Sequence, residues 1–485
     1  MRLFRICSKF FPLFLLSATA MASSAVPIFV TLASFGGSDM AWGPQTSLVQ
    51  GIDGNLYGTT WGGGGPNNWG TVFRATRDGQ ITTIHSFCGS NCEGGGNPDS
   101  ALVLGEDGDF YGTTFNGGTY GYGTIYRIAP SGEFQTLHSF CSQRDCIDGG
   151  SPSTALVSAA DGFFYGTAWY GQYGHGIILR ISPDGNFLVL SSFCGQPGCV
   201  IAGDIPLIQA SDGKLYGGGW GGDGNCPFHY NCGTIFRVSP SGEPEMLYSF
   251  SGIDGMGVTG LLQGLDGNLY GTTVGGGPRD PTGVDYLGTV FKFSRGGKRT
   301  TIANSCWLAP SSCFGINGAG PVGGIIQATD GNFYGVTVHG GDGLPGGGTV
   351  FEINSERGIR VHWFNNVGQY GPQGGLVQAT NGLLYGTTRL GGDFNFGTLF
   401  SVDVGLSPFI AFIRDSGSIG QSGGILGQGF TGTTSVDLNG VPANFTVVSD
   451  TYIRATVPAG AKTGYVTVTT PSGVLKSNVP FRVIR

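Results

Sequence analysis

Asp53-Gly54-Asn55-Leu56-Tyr57-Gly58-Thr59-Thr60-Trp61 couples a turn dipeptide to a short strand, and the chain says this seven times. The central tyrosines are Tyr57, Tyr111, Tyr165, Tyr216, Tyr270, Tyr334 and Tyr385, about every 54 residues in the first repeats. The turns before them are Asp53-Gly54, Asp107-Gly108, Asp161-Gly162, Asp212-Gly213, Asp266-Gly267, Asp330-Gly331 and Asn381-Gly382. Asp-Gly and Asn-Gly are expected to supply the positive φ values of a tight hairpin. Aromatic and β-branched residues interleaved with periodic turn signals make each tyrosine segment a short strand.

Outward from each tyrosine the same pieces recur. An apolar run precedes the turn. A glycine-rich loop, a Gly-Thr strand, a second turn and a Ser-Phe strand follow. The Gly-Thr strands begin at Gly70, Gly123, Gly233, Gly288, Gly348 and Gly397, and the third repeat departs with Gly176-Ile177. Each unit thus holds four strands, a to d, the content of one propeller blade. In the second repeat these are Ser100 to Leu104, Phe110 to Phe115, Gly123 to Ile128 and Phe134 to Phe140. The last repeat stops at Val402 without a d strand, while Phe29-Val30-Thr31-Leu32-Ala33-Ser34-Phe35 looks like a d strand standing before the first a strand. Pairing the two ends would remove two open sheet edges. The prediction is an all-β, seven-bladed β-propeller over residues 26–404, with the N-terminal strand completing the last blade.

These repeats resemble the GloVer repeat of the "choice-of-anchor" bacterial surface proteins, from Ile28 to Val404. The resemblance implies an exported, repeat-built protein with no established biochemical activity; the C-terminal sorting segment common in that family is not seen here. After Asp403 the tyrosine pattern ends. Gly427-Gln428-Gly429-Phe430, Val436-Asp437-Leu438-Asn439-Gly440-Val441 and Ala455-Thr456-Val457-Pro458-Ala459-Gly460 follow. This segment, 408–485, is similar to the IPT/TIG immunoglobulin-like family, which implies a β-sandwich. Such modules touch DNA in transcription factors, but here Arg414, Arg454, Lys462 and Lys476 are scattered, so a spacer or docking role is expected instead.

At the N-terminus, Arg2, Arg5 and Lys9 precede an apolar stretch from Phe10 to Leu16 and the small residues Ser17 to Ala22. That order reads as a cleavable signal peptide over residues 1–22, and the apolar run is too short to anchor in a membrane. A secreted or extracytoplasmic chain without a transmembrane anchor is expected. Glycine numbers 93 of 485 residues, charged residues are 11%, and the net charge is −7 with no basic cluster. Nucleic-acid binding needs concentrated positive charge, so that partner is excluded. Beyond Cys7, ten cysteines form five close pairs: Cys88 with Cys92, Cys141 with Cys146, Cys194 with Cys199, Cys226 with Cys232, and Cys306 with Cys313. A disulfide within each pair is expected. Zinc is the rival, but each pair stands in its own loop with no second pair at ligand spacing.

Connectivity sorts the loops. The a–b and c–d turns share one face, and all are tight. The b–c loops and d-to-a crossovers share the other, which carries the long loops Asn225 to Asn231, Gly275 to Leu287 and Trp307 to Pro321 and every cysteine pair. Variable loops on a rigid scaffold are where binding tends to sit. Four residues after each repeat tyrosine stand Trp61, Phe115, Trp169 and Trp220, then Val274, Val338 and Arg389. The four aromatics either pack between blades or form an arc that stacks on a ligand. The repeated aspartates read as turn residues, and His85 and His138 share one place in strand d. His175, His229, His339 and His362 are isolated, and no cofactor, metal or catalytic motif groups around them. The reading is a non-enzymatic binding platform for a carbohydrate or surface-protein partner. A carbohydrate-active enzyme or a purely structural envelope component are the alternatives. The oligomeric state is not legible.

Overall fold

The computed structural model describes residues 27–484 apart from 38–40, 66–67, 90–91, 172–173, 194–199, 202, 204, 223–225, 227–231, 239–241, 278–286, 305–317, 341–346, 355–357 and 364–370. The signal segment 1–22, His229 and most of the three long loops named above lie outside these residues. So do four of the ten paired cysteines, Cys194 and Cys199 in one loop and Cys306 and Cys313 in another.

The repeats form seven antiparallel sheets, each holding one repeat tyrosine. In the first sheet the strands run Val49–Gln50, Leu56–Thr60, Thr71–Ala75 and Ile81–Ser86, in that order. The seventh is completed from the other end of the chain. Ile28–Ser34 lies antiparallel on Thr398–Asp403, with Phe29 opposite Val402 and Ser34 opposite Thr398. Seven buried clusters then join neighbouring sheets, and the one holding Phe35, Leu48, Leu56, Phe73, Tyr385 and Leu399 ties the last sheet to the first. The sheets therefore close on themselves as a β-propeller.

The repeat motif has a packing reason at each position. The repeat tyrosines pack their rings towards the next sheet: Tyr57 meets Phe110 at 4.2 Å between centroids and Tyr111 meets Phe164 at 4.1 Å. A buried ring of this kind contributes about 2–3 kcal/mol. Its hydroxyl donates back to the turn aspartate, from Tyr57 to Asp53 at 2.8 Å and Tyr165 to Asp161 at 2.6 Å. In the seventh repeat the direction reverses, and the Asn381 amide donates to the Tyr385 hydroxyl at 2.9 Å. Burial first, and then the Asp53 carboxylate, hold the Tyr57 phenol above its ordinary range.

The turn itself corrects one expectation. Only the glycine takes positive φ, 79° at Gly54 and 90° at Gly108, while the aspartates do not. The Gly51 amide donates to the Asn55 carbonyl at 2.9 Å and the Gly54 amide to the Gly51 carbonyl at 3.0 Å. This is a three-residue loop with glycine at its left-handed position, not a two-residue hairpin. The aspartate serves as acceptor for the backbone two residues on, as Asp53 does for Asn55 at 3.1 Å.

The two threonines divide their work. The first faces the axis: Thr46 and Thr59 share a hydrogen bond at 3.0 Å, and Thr59 donates to the Ser100 carbonyl of the next sheet at 3.2 Å. In five repeats the second pairs with the threonine of the c strand, as Thr60 with Thr71 at 2.7 Å and Thr388 with Thr398 at 2.8 Å; in the fourth, Gly219 stands opposite Thr234, which donates to the Gly219 carbonyl at 3.4 Å. In the third repeat the departure noted at Gly176-Ile177 is matched across the ladder. Ile177 stands opposite Ala168, so both hydroxyls are absent together.

Residues from Phe409 onward build the C-terminal sandwich. One sheet orders Ala411–Phe412, Ser422–Leu426, Tyr452–Thr456 and Phe445–Ser449, and the other Val441–Pro442, Ser435–Leu438, Val466–Thr470 and Gly473–Lys476. Ile410, Phe430, Ile453 and Val468 are fully buried between them. The sandwich is seated on the tight-turn face of the propeller. Leu426 and Tyr452 join the cluster of Leu104 and Tyr57, with Ile52 and Ile413 packed against it. The Glu106 carboxylate accepts from the Gly424 amide at 3.2 Å and lies 3.8 Å from Arg414, while Arg454 donates to the Glu106 carbonyl at 3.1 Å. Arg77 donates to Gln428 at 2.8 Å, and Thr451 donates to the Ile52 carbonyl at 2.7 Å. A free-standing spacer does not describe this arrangement; the module is docked.

Candidate functional site

With the sandwich on one face, the long-loop face is built where b strands end and a strands begin. The four aromatics of the sequence pattern lie there but not in equivalent settings. Trp61 and Phe115 are half-buried and their rings lean together from neighbouring blades at 6.4 Å and 50°. Trp169 is 42% exposed, and its indole donates to the Ser153 hydroxyl at 2.7 Å. Trp220 is half-buried inside the longer strand Leu215–Gly221 and lines an axial pit.

The structure adds aromatics that the strand pattern did not single out. Among the described residues, the large aromatic side chains exposed by 36 to 54% are Tyr120, Tyr122, Trp169, Tyr170, Phe394 and Phe396. All six stand in b–c loops of this one face. Tyr122 and Tyr170 meet edge to face at 5.9 Å across neighbouring blades, with Gly150 between them. A Cβ on Gly150 would lie 3.3 Å from Tyr122 and 3.4 Å from Tyr170, so glycine lets the two rings close up. The signal was present in Tyr120-Gly121-Tyr122 and Phe394-Asn395-Phe396. These alternations fall outside the strands, where no neighbouring sheet needs their bulk.

On the axis, the starts of the a strands enclose a pit of about 390 Å³. Gln373, Gln45, Asp99 and Ser153 line it from the seventh, first, second and third blades, and Trp220, Val258, Val274 and Val322 from the fourth, fifth and sixth. Gln45 donates to the Asp99 carboxylate at 2.6 Å. The longer inner strands Met256–Gln263 and Ala319–Gln327 raise the apolar side.

The histidines of strand d belong to packing. His85 stacks on Phe134 at 4.0 Å and His138 on Phe187 at 3.8 Å, both nearly parallel. Burial pulls the His85 imidazole down to about 4 and lowers His138 as well, where Asp148 opposes the effect. The His85 imidazole is therefore neutral at pH 7. No group of three or more metal-ligating side chains occurs among the described residues.

Three of the five expected bridges are formed, each within its own loop of the long-loop face: Cys88 to Cys92, Cys141 to Cys146, and Cys226 to Cys232. The other two expected bridges, Cys194 to Cys199 and Cys306 to Cys313, fall outside the described residues. For Cys194, Cys199, Cys306 and Cys313 the pairing therefore rests on sequence spacing alone. No helix among the described residues is long and apolar enough to cross a membrane.

Comparison with solved structures returns proteins of similar architecture. The periplasmic gluconolactonase of Pseudomonas aeruginosa is 19% identical, covering 73% of this chain and 97% of that one, with a TM-score of 0.42. The extracellular domain of a protein assigned to the hybrid two-component systems of Bacteroides thetaiotaomicron is 10% identical, covering 93% of this chain and 57% of that one, with a TM-score of 0.48. Comparison with curated proteins finds no match. Family models are more specific: the IPT/TIG domain matches residues 408–483, and the Gloeobacter/Verrucomicrobia repeat matches 21–229 and 206–444. With the tyrosine repeats, the closed ring of sheets and these matches together, the chain belongs to the Gloeobacter/Verrucomicrobia repeat family.

Proposed function

We propose that this protein is an extracytoplasmic, non-enzymatic binding protein whose long-loop face holds an uncharged carbohydrate polymer of the cell envelope or surroundings. The observation that carries the reading is the placing of all six exposed aromatic rings on that face. An exposed ring leaves its apolar surface in water and gains no packing, so six on one side and none elsewhere among the described residues mark a surface built for contact. Two of their three loops, 115–123 and 169–176, contain no Asp, Glu, Lys or Arg, and the third, 389–397, holds one of each sign, Arg389 and Asp393. A neutral polyhydroxylated chain offers the C–H faces such rings stack on, whereas a polyanion would call for arginines and lysines. Loop disulfides suit an oxidising compartment.

The test is a binding screen of the chain from residue 27 onward against immobilised neutral and acidic polysaccharides, repeated with Tyr122→Ala/Tyr170→Ala. Binding to neutral polymers that falls at least tenfold in the variant, with an unchanged melting curve, is expected. Equal binding by the variant, or a preference for acidic polymers, would overturn the reading.

A further inference from the structure

Within that face, the axial pit has its own chemistry. We infer that it is a separate site for a single neutral sugar ring, the end of a chain rather than its middle; this rests on the carbohydrate reading of the face. Three observations converge. The volume, about 390 Å³, lies in the range of small-molecule sites but near its lower end, room for one or two rings and not for a polymer strand. The lining is divided. Carboxylate, carboxamide and hydroxyl groups of Asp99, Gln45, Gln373 and Ser153 come from four consecutive blades, and the Trp220 indole with Val258 and Val322 from the other three. A pyranose has the matching division, hydroxyls around its edge and a C–H face; the Asp99 carboxylate can accept from one ring hydroxyl while the neighbouring Gln45 carboxamide donates to or accepts from another. The carboxylate is held in place, since Gln45 donates to Asp99 at 2.6 Å across the boundary between the first and second blades.

The wall supports this division. Between the fifth and sixth blades, and again between the sixth and seventh, the inner strands touch backbone to backbone. A Cβ on Gly260 would fall 2.4 Å from Gly324, and one on Gly323 2.1 Å from Gly375. Side chains at these points would push the inner strands apart. Glycine leaves the bulk on that side to the indole and the aliphatic side chains. The charge sets the ligand class: Asp99 is the sole ionisable residue among those described as lining the pit, so an anionic sugar would meet a carboxylate there.

Titration calorimetry of the chain from residue 27 onward with methyl glycosides of neutral hexoses tests the site, with methyl glucuronide and tetramethylammonium as charged probes. One neutral glycoside is expected to bind. Asp99→Asn and Trp220→Ala should each weaken it at least tenfold, Trp220→Phe less, and Tyr122→Ala/Tyr170→Ala not at all. The inference is overturned if only a charged probe binds, or if the neutral glycoside ignores Asp99 and Trp220. It is also overturned if no glycoside binds while polymers still do, which leaves the face reading standing. Loss of polymer and glycoside binding alike in the unaltered protein counts against the face reading itself.

Discussion

At the scale of the residue, the repeat shows which positions are bound to one another. The threonine pair across strands b and c recurs as Thr114 with Thr124 at 2.9 Å and Thr273 with Thr289 at 2.9 Å. The third repeat replaces both members, with Ile177 fully buried opposite Ala168. A hydroxyl without a proper partner in such a place costs about 1–3 kcal/mol. Ile177→Thr alone should therefore lower stability by about 2–3 kcal/mol, counting the lost methylene packing. Adding Ala168→Thr should recover about 1 kcal/mol of that through the new bond. Chemical denaturation of the two single variants and the double one gives the coupling. Strictly additive effects would show that the two positions do not depend on each other.

At the scale of the element, much could be read from the chain and some could not. The strand count per repeat and the pairing of Phe29-to-Phe35 with the strand after Gly397 follow from what is missing at each end. The Asp-Gly turns were legible as turns but not as three-residue loops, because the same dipeptide serves both and the register decides. Trp61 and Trp169 occupy one repeat position, yet one leans on a neighbouring ring and the other is open to solvent. Loop shape settles that difference, and loops are where the repeats diverge. The first strand carries a direct test. Removing residues 28–35 strips Phe35, 2% exposed, from the cluster between the last and first sheets and uncovers the edge of Thr398–Asp403. A fall in melting temperature on the order of 10 °C, seen by calorimetry as one shifted transition, is expected. An unshifted transition would mean that the strand adds nothing to closure.

At the scale of the whole molecule, the sandwich and propeller are one body. The turns beneath the sandwich have specialised: Leu104 and Glu106 stand where the first repeat has Gln50 and Ile52. Glu106 faces Arg414, whose side chain is 10% exposed. Removing the carboxylate leaves that guanidinium enclosed without its partner, a change that costs several kcal/mol when the pair is well buried, about 3–5 at most. Glu106→Ala should accelerate hydrogen exchange at Gly424 and Leu426 at least tenfold while Tyr385 and Val402 stay protected. Unchanged exchange at Gly424 would show that apolar contact alone holds the module. The closing strand has a further consequence for how the chain comes to be folded. Translation delivers Ile28–Ser34 before any of the seven sheets exists, and its partner Thr398–Asp403 only when nearly the whole ring has been made. The earliest segment is thus the last to be placed, and until then the final sheet displays an open edge of matching sequence. At high concentration that edge accepts the first strand of a neighbour as readily as its own, so crowded refolding of this protein should yield strand-exchanged pairs, and dilute refolding monomers.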